Sequence, residues 1–517
     1  MTSSEPTTSL VDPLGRAVPA ATARGVASFF GAERAGDLAP AVCRGTACAL
    51  AGAGEVADRA GARAGTVYCL GYCDRGPAVL RADGEVALPA AGGADPLAAA
   101  PARSAPTVRS LAAEPIVTRR LGMDAVSLDS ARAAGAYEAL ERALGAPPDA
   151  VLDAVERSGE SGRGGAGFPT GTKWRLAAAE PGPRFIVANG DEGDPGAFVD
   201  RVLMEDDPHA VLEGMALCAH AIGAEHGVVF VRGEYPRARR TLERAVGEAR
   251  AAGLLGPSVA GSGVAFDVTI ASGRGSYVSG EETAMLNAIE GRRGEPRLRP
   301  PYPTTAGLWG RPTVVNNVET LVNVPWIVAN GPAAYRARGT ADCPGTKAMC
   351  LSSGFASPGL VEVEYGTPLR AVIEVGGGAA DGTALRAVLL GGPMGSVLVP
   401  GEWDVPVCTA AMAERGVTLG HGGIVAVSER ADLAALLRHW LEFMAAESCG
   451  KCTPCRLGSE RALALVREGG LAGAQPELDR LLPVIAQASL CGFGQMIPVT
   501  VAALIERFGD EICATGA

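Results

Sequence analysis

Residues 162–174 read Gly-Arg-Gly-Gly-Ala-Gly-Phe-Pro-Thr-Gly-Thr-Lys-Trp, and their first six fit G-x-G-x-x-G. That pattern marks a dinucleotide site only where a strand leads in and a helix leads out. Here the preceding residues, Ala150 to Arg157, have helical spacing, so a Rossmann fingerprint is not expected. The loop still has the chemistry of an anion site. Residues without a Cβ let backbone N–H groups converge on a phosphate. Arg163 and Lys173 add positive charge, and Phe168 offers a planar face. An ordinary surface turn is the plainer alternative.

Around this loop, from about residue 115 to 335, strand-like and helix-like runs alternate as in an α/β domain. Arg184–Ala188 and Gly227–Val231 read as strands, and Asp207–Gly223 and Arg237–Ala252 as helices. Two polar segments lie within it. Asn189-Gly-Asp-Glu-Gly-Asp194 fits a calcium-binding turn or a set of partners for ribityl or ribose hydroxyls. Val315-Asn-Asn-Val-Glu-Thr320 supplies paired amides for the polar edge of a ring, or a helix cap. Glu281-Glu282 after Gly273–Gly280 is placed to open a helix.

Farther out the pattern changes. Residues 1–25 read as a disordered tail, 26–90 as a small unit, and 91–113 as a linker. In the small unit, Gly54–Ala62 reads as a helix, Gly65–Tyr68 as a strand and Ala78–Ala87 as a hairpin about Asp83-Gly84. Residues 345–400 are short β-rich runs between glycines. Residues 425–510 are helical, with Leu433, Leu436, Leu437, Trp440, Phe443 and Met444 on one face. Leu481–Ile505 carries no charge, but Pro483, Gly492, Gly494 and Pro498 favour two buried helices about a loop over a membrane span.

The chain has 517 residues and a formal charge of −11, which argues against a nucleic-acid partner. Its five histidines are too few for several histidine-based metal sites, whereas its 13 cysteines are many. No export signal is evident at the N-terminus, so a cytoplasmic setting is expected, where clustered cysteines imply metal or redox chemistry. Cys449, Cys452 and Cys455 follow C-x2-C-x2-C, with Cys491 more distant. This is the spacing of [4Fe–4S] ligation, in which one loop holds three corners of a cubane. Zinc is the lesser alternative, since neither a second close pair nor a histidine pair is nearby. Lys451 and Arg456 add charge that favours a reduced cluster. Cys43-x4-Cys48 and Cys69-x3-Cys73 suit a [2Fe–2S] cluster, one pair per iron, better than zinc or unligated thiols. Cys218, Cys343, Cys350, Cys408 and Cys513 read as small buried hydrophobes.

Taken together, GRGGAGFPTGTKW, NGDEGDPGAFVDR, SGEETAMLNAIEG, PRLRPPYPTTAGLWGRPTVVNNVET and ESCGKCTPCRLG with SLCGFG resemble the NADH-oxidising FMN subunit of respiratory complex I. The same module occurs in diaphorase parts of NAD-linked hydrogenases and formate dehydrogenases. The resemblance runs from about Glu114 to Gly509, and residues 26–90 look like a shortened thioredoxin-like [2Fe–2S] partner domain fused in front. It implies a multi-domain α/β protein: a thioredoxin-like unit, a Rossmann-like FMN/NADH domain over 114–335, a β-grasp (SLBB) insert over 345–400 and a C-terminal helical bundle carrying the cubane.

The resemblance also implies roles. Gly162, Arg163, Gly164, Gly165 and Lys173 would hold the FMN phosphate. Asn189, Asp191 and Glu192 would bind the ribityl chain and ring edge, and Gly280, Glu281, Glu282, Asn316, Asn317 and Thr320 would line the flavin. Phe168, Asp194, Glu282, Arg299 and Tyr302 would receive NAD(H), with Glu282 and Asp194 tuning the charge at the reacting centre. Leu176 stands where relatives often have an aromatic, Asp194 where many have Glu, and Arg299 and Tyr302 where Lys and Phe are common. The implied function is hydride exchange between NAD(H) and FMN. Single electrons then pass through the clusters to or from a partner such as a hydrogenase, formate dehydrogenase or quinone-reducing complex, without membrane insertion. An alternative keeps the fold but reacts weakly or not at all with nicotinamide. A stand-alone Rossmann dehydrogenase and a zinc scaffold are the remaining rivals.

Overall fold

The computed structural model describes residues 40–514, except 91, 92, 94, 103, 104 and 274. The tail expected over 1–25, and the first part of the unit expected over 26–90, lie outside the described residues.

The N-terminal unit is a four-stranded sheet of order β2-β1-β3-β4. Strand β1 (Ala41–Cys43) pairs parallel with β2 (Gly65–Val67) and antiparallel with β3 (Val79–Leu80). Strand β4 (Val86–Ala87) closes the hairpin, whose turn places Gly84 at φ +78°. Helix Ala53–Ala60 covers the sheet through buried Ala53, Val56 and Ala60.

Strand β5 (Val108–Ser110) lies in the stretch read as a linker, and it corrects that reading. It pairs in parallel with a strand some 250 residues later, and Arg109 donates to the carbonyls of Ser357 (2.6 Å) and Pro358 (3.0 Å). Alanine- and proline-rich composition hid a strand whose partner is remote.

The central sheet contains β6 (Phe185–Gly190), β7 (His226–Val231), β8 (Asp267–Ser272) and β9 (Thr313–Asn317) in the order β8-β7-β6-β9. All its pairings are parallel. Strands β6, β7 and β9 are buried through most of their length, as a sheet covered on both faces requires, whereas the edge strand β8 is largely part-exposed. Helix Pro208–Ile222 is buried at every position, and helix Val318–Asn330 over its first ten. The chain leaves β6 toward β7 and β8 on one side and reaches β9 on the other. The ends of β6 and β9 therefore form a topological switch point, where open α/β sheets bind ligands. Residues Pro148–Ser158 are helical, so no strand precedes Gly162 and the stand-alone Rossmann rival loses its requirement.

A six-stranded sheet follows, of order β13-β12-β14-β10-β11-β5. It comprises β10 (Thr346–Leu351), β11 (Gly359–Glu364), β12 (Leu385–Leu390), β13 (Ser396–Leu398) and β14 (Gly423–Ser428). Strand β14 lies beyond the expected 345–400 boundary yet sits between β12 and β10, so the unit extends through Ser428. Cys343 and Cys408 are joined in a disulfide across this unit, with Cα atoms 5.8 Å apart. That corrects their reading as small buried hydrophobes standing alone: distant segments meet, and sequence spacing carries no sign of it. Cys218 and Cys350 are buried, but Cys513 is only half-buried.

The C-terminal part packs helices Leu433–Glu447, Thr453–Ala488 and Gly492–Ala514 together. The uncharged run thus divides at Ser489–Cys491. Among the described residues, no helix is long and apolar enough to cross a membrane.

Candidate functional site

A cavity of about 780 Å³ opens at the switch point, within the usual range for a ligand site. Its floor comes from the strand ends: Asn189 lies near the end of β6 and Asp191 just follows it, and Asn316 and Asn317 end β9. Gly162, Gly164 and Ala166 of the glycine loop form one end. A Cβ on Gly164 would sit 3.3 Å from that of Asn317, so loop and strand approach closely there. Phe168, Leu176 and Tyr302 stand exposed at the mouth.

Specific bonds hold the polar lining. Trp174, fully buried, donates its indole N–H to Asn316 Oδ1 at 2.8 Å. Asn317 caps helix Val318–Asn330 by accepting the N–H of Thr320 at 3.2 Å. Glu192 accepts the N–H groups of Asp200 and Arg201, both at 2.9 Å, and so caps helix Val199–Asp206. Glu281 caps helix Glu282–Ile289 through the N–H groups of Thr283 and Ala284. The cap and cofactor readings of these residues therefore coexist. Tyr277 donates its hydroxyl to Asp194. Lys173 donates to the Val315 carbonyl at 2.9 Å and lies 3.9 Å from Glu282, which in turn pairs with Arg299 at 3.0 Å.

Burial shifts the acids. Asp191 is pushed up to about 8 by desolvation, with Arg232 opposing, and its Oδ2 has no hydrogen-bond partner. Asp194 is likewise raised by burial, against the pull of the Tyr277 hydroxyl. An unpartnered buried carboxyl oxygen facing a cavity suits a ligand that brings hydrogen-bond donors.

Three expected cofactor residues do not line the cavity. Arg163 turns its guanidinium away, into a fully buried pair with Glu160 and a bond to the Thr346 carbonyl at 2.6 Å. Its N–H donates to Thr320 Oγ1 at 2.9 Å, which places Thr320 behind the loop. Gly165 packs against Gly420. The reason is local: a buried Glu160 requires a cation, and Arg163 is the one in reach. Arg163→Met is accordingly expected to destabilise the protein by about 3–5 kcal/mol, read from its urea unfolding midpoint, since it leaves Glu160 buried without a counter-charge, held only by the Tyr335 hydroxyl.

The remaining walls were not legible in the sequence. His421, Met394, Cys491, Gly492 and Phe493 all line the cavity. A signal existed for His421, a rare histidine inside the run Leu419-Gly-His-Gly-Gly423. Cys491 links the cavity to the C-terminal thiols. Gly494 lacks a Cβ, and one there would lie 3.1 Å from that of Cys455, so the distant cysteine's loop rests on the C-x2-C-x2-C turn. Ser448 contacts Cys455 Sγ at 3.2 Å. Lys451 is held by the Pro296 carbonyl at 2.7 Å and Glu295 at 3.3 Å, and Arg456 by the Gly450 carbonyl at 2.8 Å.

The N-terminal thiols are all buried, with Cys69 and Cys73 Sγ atoms 3.4 Å apart. Cys73 Sγ accepts the N–H of Gly196 at 3.3 Å, which ties the unit to the cavity loop. Among the described residues, no three cysteine sulfurs lie within 4.8 Å of one another. Four sulfurs about 2.3 Å from one zinc would lie roughly 3.8 Å apart, so the donor sets fit polynuclear clusters better. Rings bridge the two thiol groups: Tyr68 lies 5.3 Å from Phe443, Phe443 5.2 Å from Tyr277, and Tyr277 5.4 Å from Phe493.

Comparison with known proteins agrees with this geometry. Residues 155–326 match the Nuo51 FMN-binding domain, and residues 435–515 the NADH-ubiquinone oxidoreductase-F iron-sulfur binding region. The chain is 43% identical over 403 residues to HndC, a subunit of the NADP-reducing hydrogenase of Solidesulfovibrio fructosivorans, covering 77% of this chain and 82% of that one. It is 41% identical over 409 residues to a subunit of an NADH-quinone oxidoreductase of Rhizobium meliloti, covering 78% and 97%. A solved NAD+-reducing [NiFe]-hydrogenase in the H2-reduced state superposes with a TM-score of 0.80 at 31% identity, over 96% of this chain and 88% of that one. The chain belongs to the family of NADH-binding flavoprotein subunits, with FMN and [4Fe–4S] domains, that serve complex I-type oxidoreductases and NAD-reducing hydrogenases.

Proposed function

We propose that this chain exchanges a hydride with NAD(H) in the cavity at the switch point and moves single electrons through two iron–sulfur clusters to or from a separate subunit. One observation carries the reading: a single cavity has the glycine loop and strand ends on one side and the Cys491–Phe493 loop on the other. FMN, when bound, supplies the conversion between two-electron and one-electron chemistry, and the protein supplies binding and orientation.

Gly162 and Gly164 would cradle the phosphate, with Lys173 as a neighbouring cation. Asn189, Asp191, Glu192, Gly280, Asn316 and Asn317 would bind the ribityl chain and ring edge. The free Oδ2 of Asp191 supports this, because a raised carboxyl is ready to meet a donor or to donate. Phe168 and Tyr302 would stack on the nucleotide at the mouth. Arg299, Glu282 and Asp194 would set the charge about the nicotinamide. No side-chain acid or base is required for the hydride step.

Cys449, Cys452, Cys455 and Cys491 would hold the [4Fe–4S] cluster, and Cys43, Cys48, Cys69 and Cys73 a [2Fe–2S] cluster, supported by their pairing and burial. We read the four-stranded unit as thioredoxin-like and the six-stranded one as a β-grasp fold. A hydrogenase, formate dehydrogenase or quinone-reducing complex would be the partner. The alternative with weak nicotinamide reactivity draws on Leu176, a non-aromatic side chain at the cavity mouth.

Anaerobic addition of NADH to the purified chain tests the reading. The flavin absorbance is expected to bleach within seconds. A brown protein that NADH leaves unchanged would favour the weak-nicotinamide alternative, and a colourless folded protein would refute both.

A further inference from the structure

With Arg163 turned away, the glycine-loop end of the cavity keeps Lys173 as one neighbouring cation, and a second cationic side chain is present. His421 is buried, lines the cavity, and lies beside Asn317, the residue against which Gly164 packs. Its Nε2 is 3.0 Å from Asp200 Oδ2, and its Nδ1 is 3.6 Å from Glu192 Oε1. Asp200 in turn accepts the N–H of Glu319 at 3.1 Å and bonds Asn317 Nδ2 at 2.5 Å. The imidazole is therefore the hub of a buried group that fixes Asn317, the cap of helix Val199–Asp206 and the start of helix Val318–Asn330.

We propose that the imidazolium of His421, rather than the guanidinium of Arg163, is the cation that holds the glycine-loop end of this cavity in the shape and charge that retain the FMN phosphate. It is a positioning residue, acting through Asp200 and Asn317. The inference rests on the FMN reading of the cavity. Without the proton on His421, two buried carboxylates face each other with no cation between them, and a phosphate dianion adds a third negative group.

The titratable and charged groups that face His421 come from four elements. Glu192 and Asp194 lie on the loop after β6, and Asp200 on helix Val199–Asp206. Glu319 lies on helix Val318–Asn330, and Lys347 on β10, bound to Glu319. Burial alone would lower the His421 pKa, but Asp200 and then Glu192 outweigh it and raise it to about 9, with Lys347 opposing. The sign follows. Retention is full below the raised value and falls as pH rises through it. The phosphate's own second ionisation, near about 6, is complete well before then.

The test uses the full FMN-loaded chain, diluted at a series of pH values from about 7.5 to 10.5, with released FMN read by its fluorescence. Wild-type retention should weaken as pH rises through the His421 pKa, by up to about tenfold for each pH unit above it. His421→Gln should release FMN more readily at pH 8 and lose this alkaline step. Asp200→Asn, which removes the closest counter-charge, should move the step to lower pH, a displacement that a purely structural contact would not produce. A flat wild-type profile would overturn the proposal. So would an unaltered step in His421→Gln, which would assign the titration to another cavity group such as Lys173 or Asp191. A chain that holds no FMN at any pH would overturn both the proposal and the FMN reading, whereas a chain that holds FMN with no such step would overturn the proposal alone.

Discussion

Replacing Cys491 by alanine is expected to remove the [4Fe–4S] cluster and to stop electrons from leaving the protein, while NADH still bleaches the flavin. Three thiols in one turn can hold three corners of a cubane, and the fourth must come from elsewhere. In this chain the proposed fourth ligand is Cys491, just before helix Gly492–Ala514, whose first turn packs against Cys455 through Gly494. Losing a residue that merely supports a metal ligand typically costs about 10–100-fold. Loss of the ligand itself should therefore take the rate of transfer to a cluster-bearing partner below roughly a hundredth of wild type. Because Gly492 and Phe493 also wall the cavity, the variant separates two roles of one loop. Iron analysis and the low-temperature electron paramagnetic resonance spectrum report the cluster, and the visible band reports the flavin. A variant that keeps the cubane signal would remove Cys491 from the ligand set.

Gly164→Val is expected to leave a folded, iron-containing protein that no longer retains FMN. A Cβ at position 164 already meets the Asn317 Cβ at 3.3 Å, and the two further methyl groups of valine have only the cavity to occupy. They would add bulk and apolar surface where a dianion is to bind. Loss of this anion site should raise the dissociation constant for FMN at least about 100-fold, close to 3 kcal/mol. Titrating the flavin-free variant with FMN and following fluorescence quenching checks this. Wild-type affinity in Gly164→Val would show that the phosphate lies elsewhere. Arg163→Met makes the contrasting case, where the main loss is stability.

Much of the site was legible because its chemistry is local. Two to four residues between cysteines set which thiols a single turn can bring together, and that spacing is written in the chain. The same holds for the glycine loop, for the caps at Asn317 and Glu281, and for the apolar helix face from Leu433 to Met444. Strands β6 and β7 were visible from their apolar runs, because a parallel sheet buried on both faces tolerates little else.

The chemical groups, and the short-range geometry that spacing imposes on them, are properties of the sequence alone. Direction and remote company came with the fold. Arg163 looked like a phosphate ligand beside its glycines, but the cost of burying Glu160 without a cation turned it inward. His421, Met394 and the Cys491 loop reached the cavity from three distant segments. Strand β5 found its partner across the chain, and Cys343 met Cys408. Side-chain direction is set by which buried charge most needs a counter-charge, and long-range pairing by which faces exclude water together. Neither quantity exists until the chain is folded.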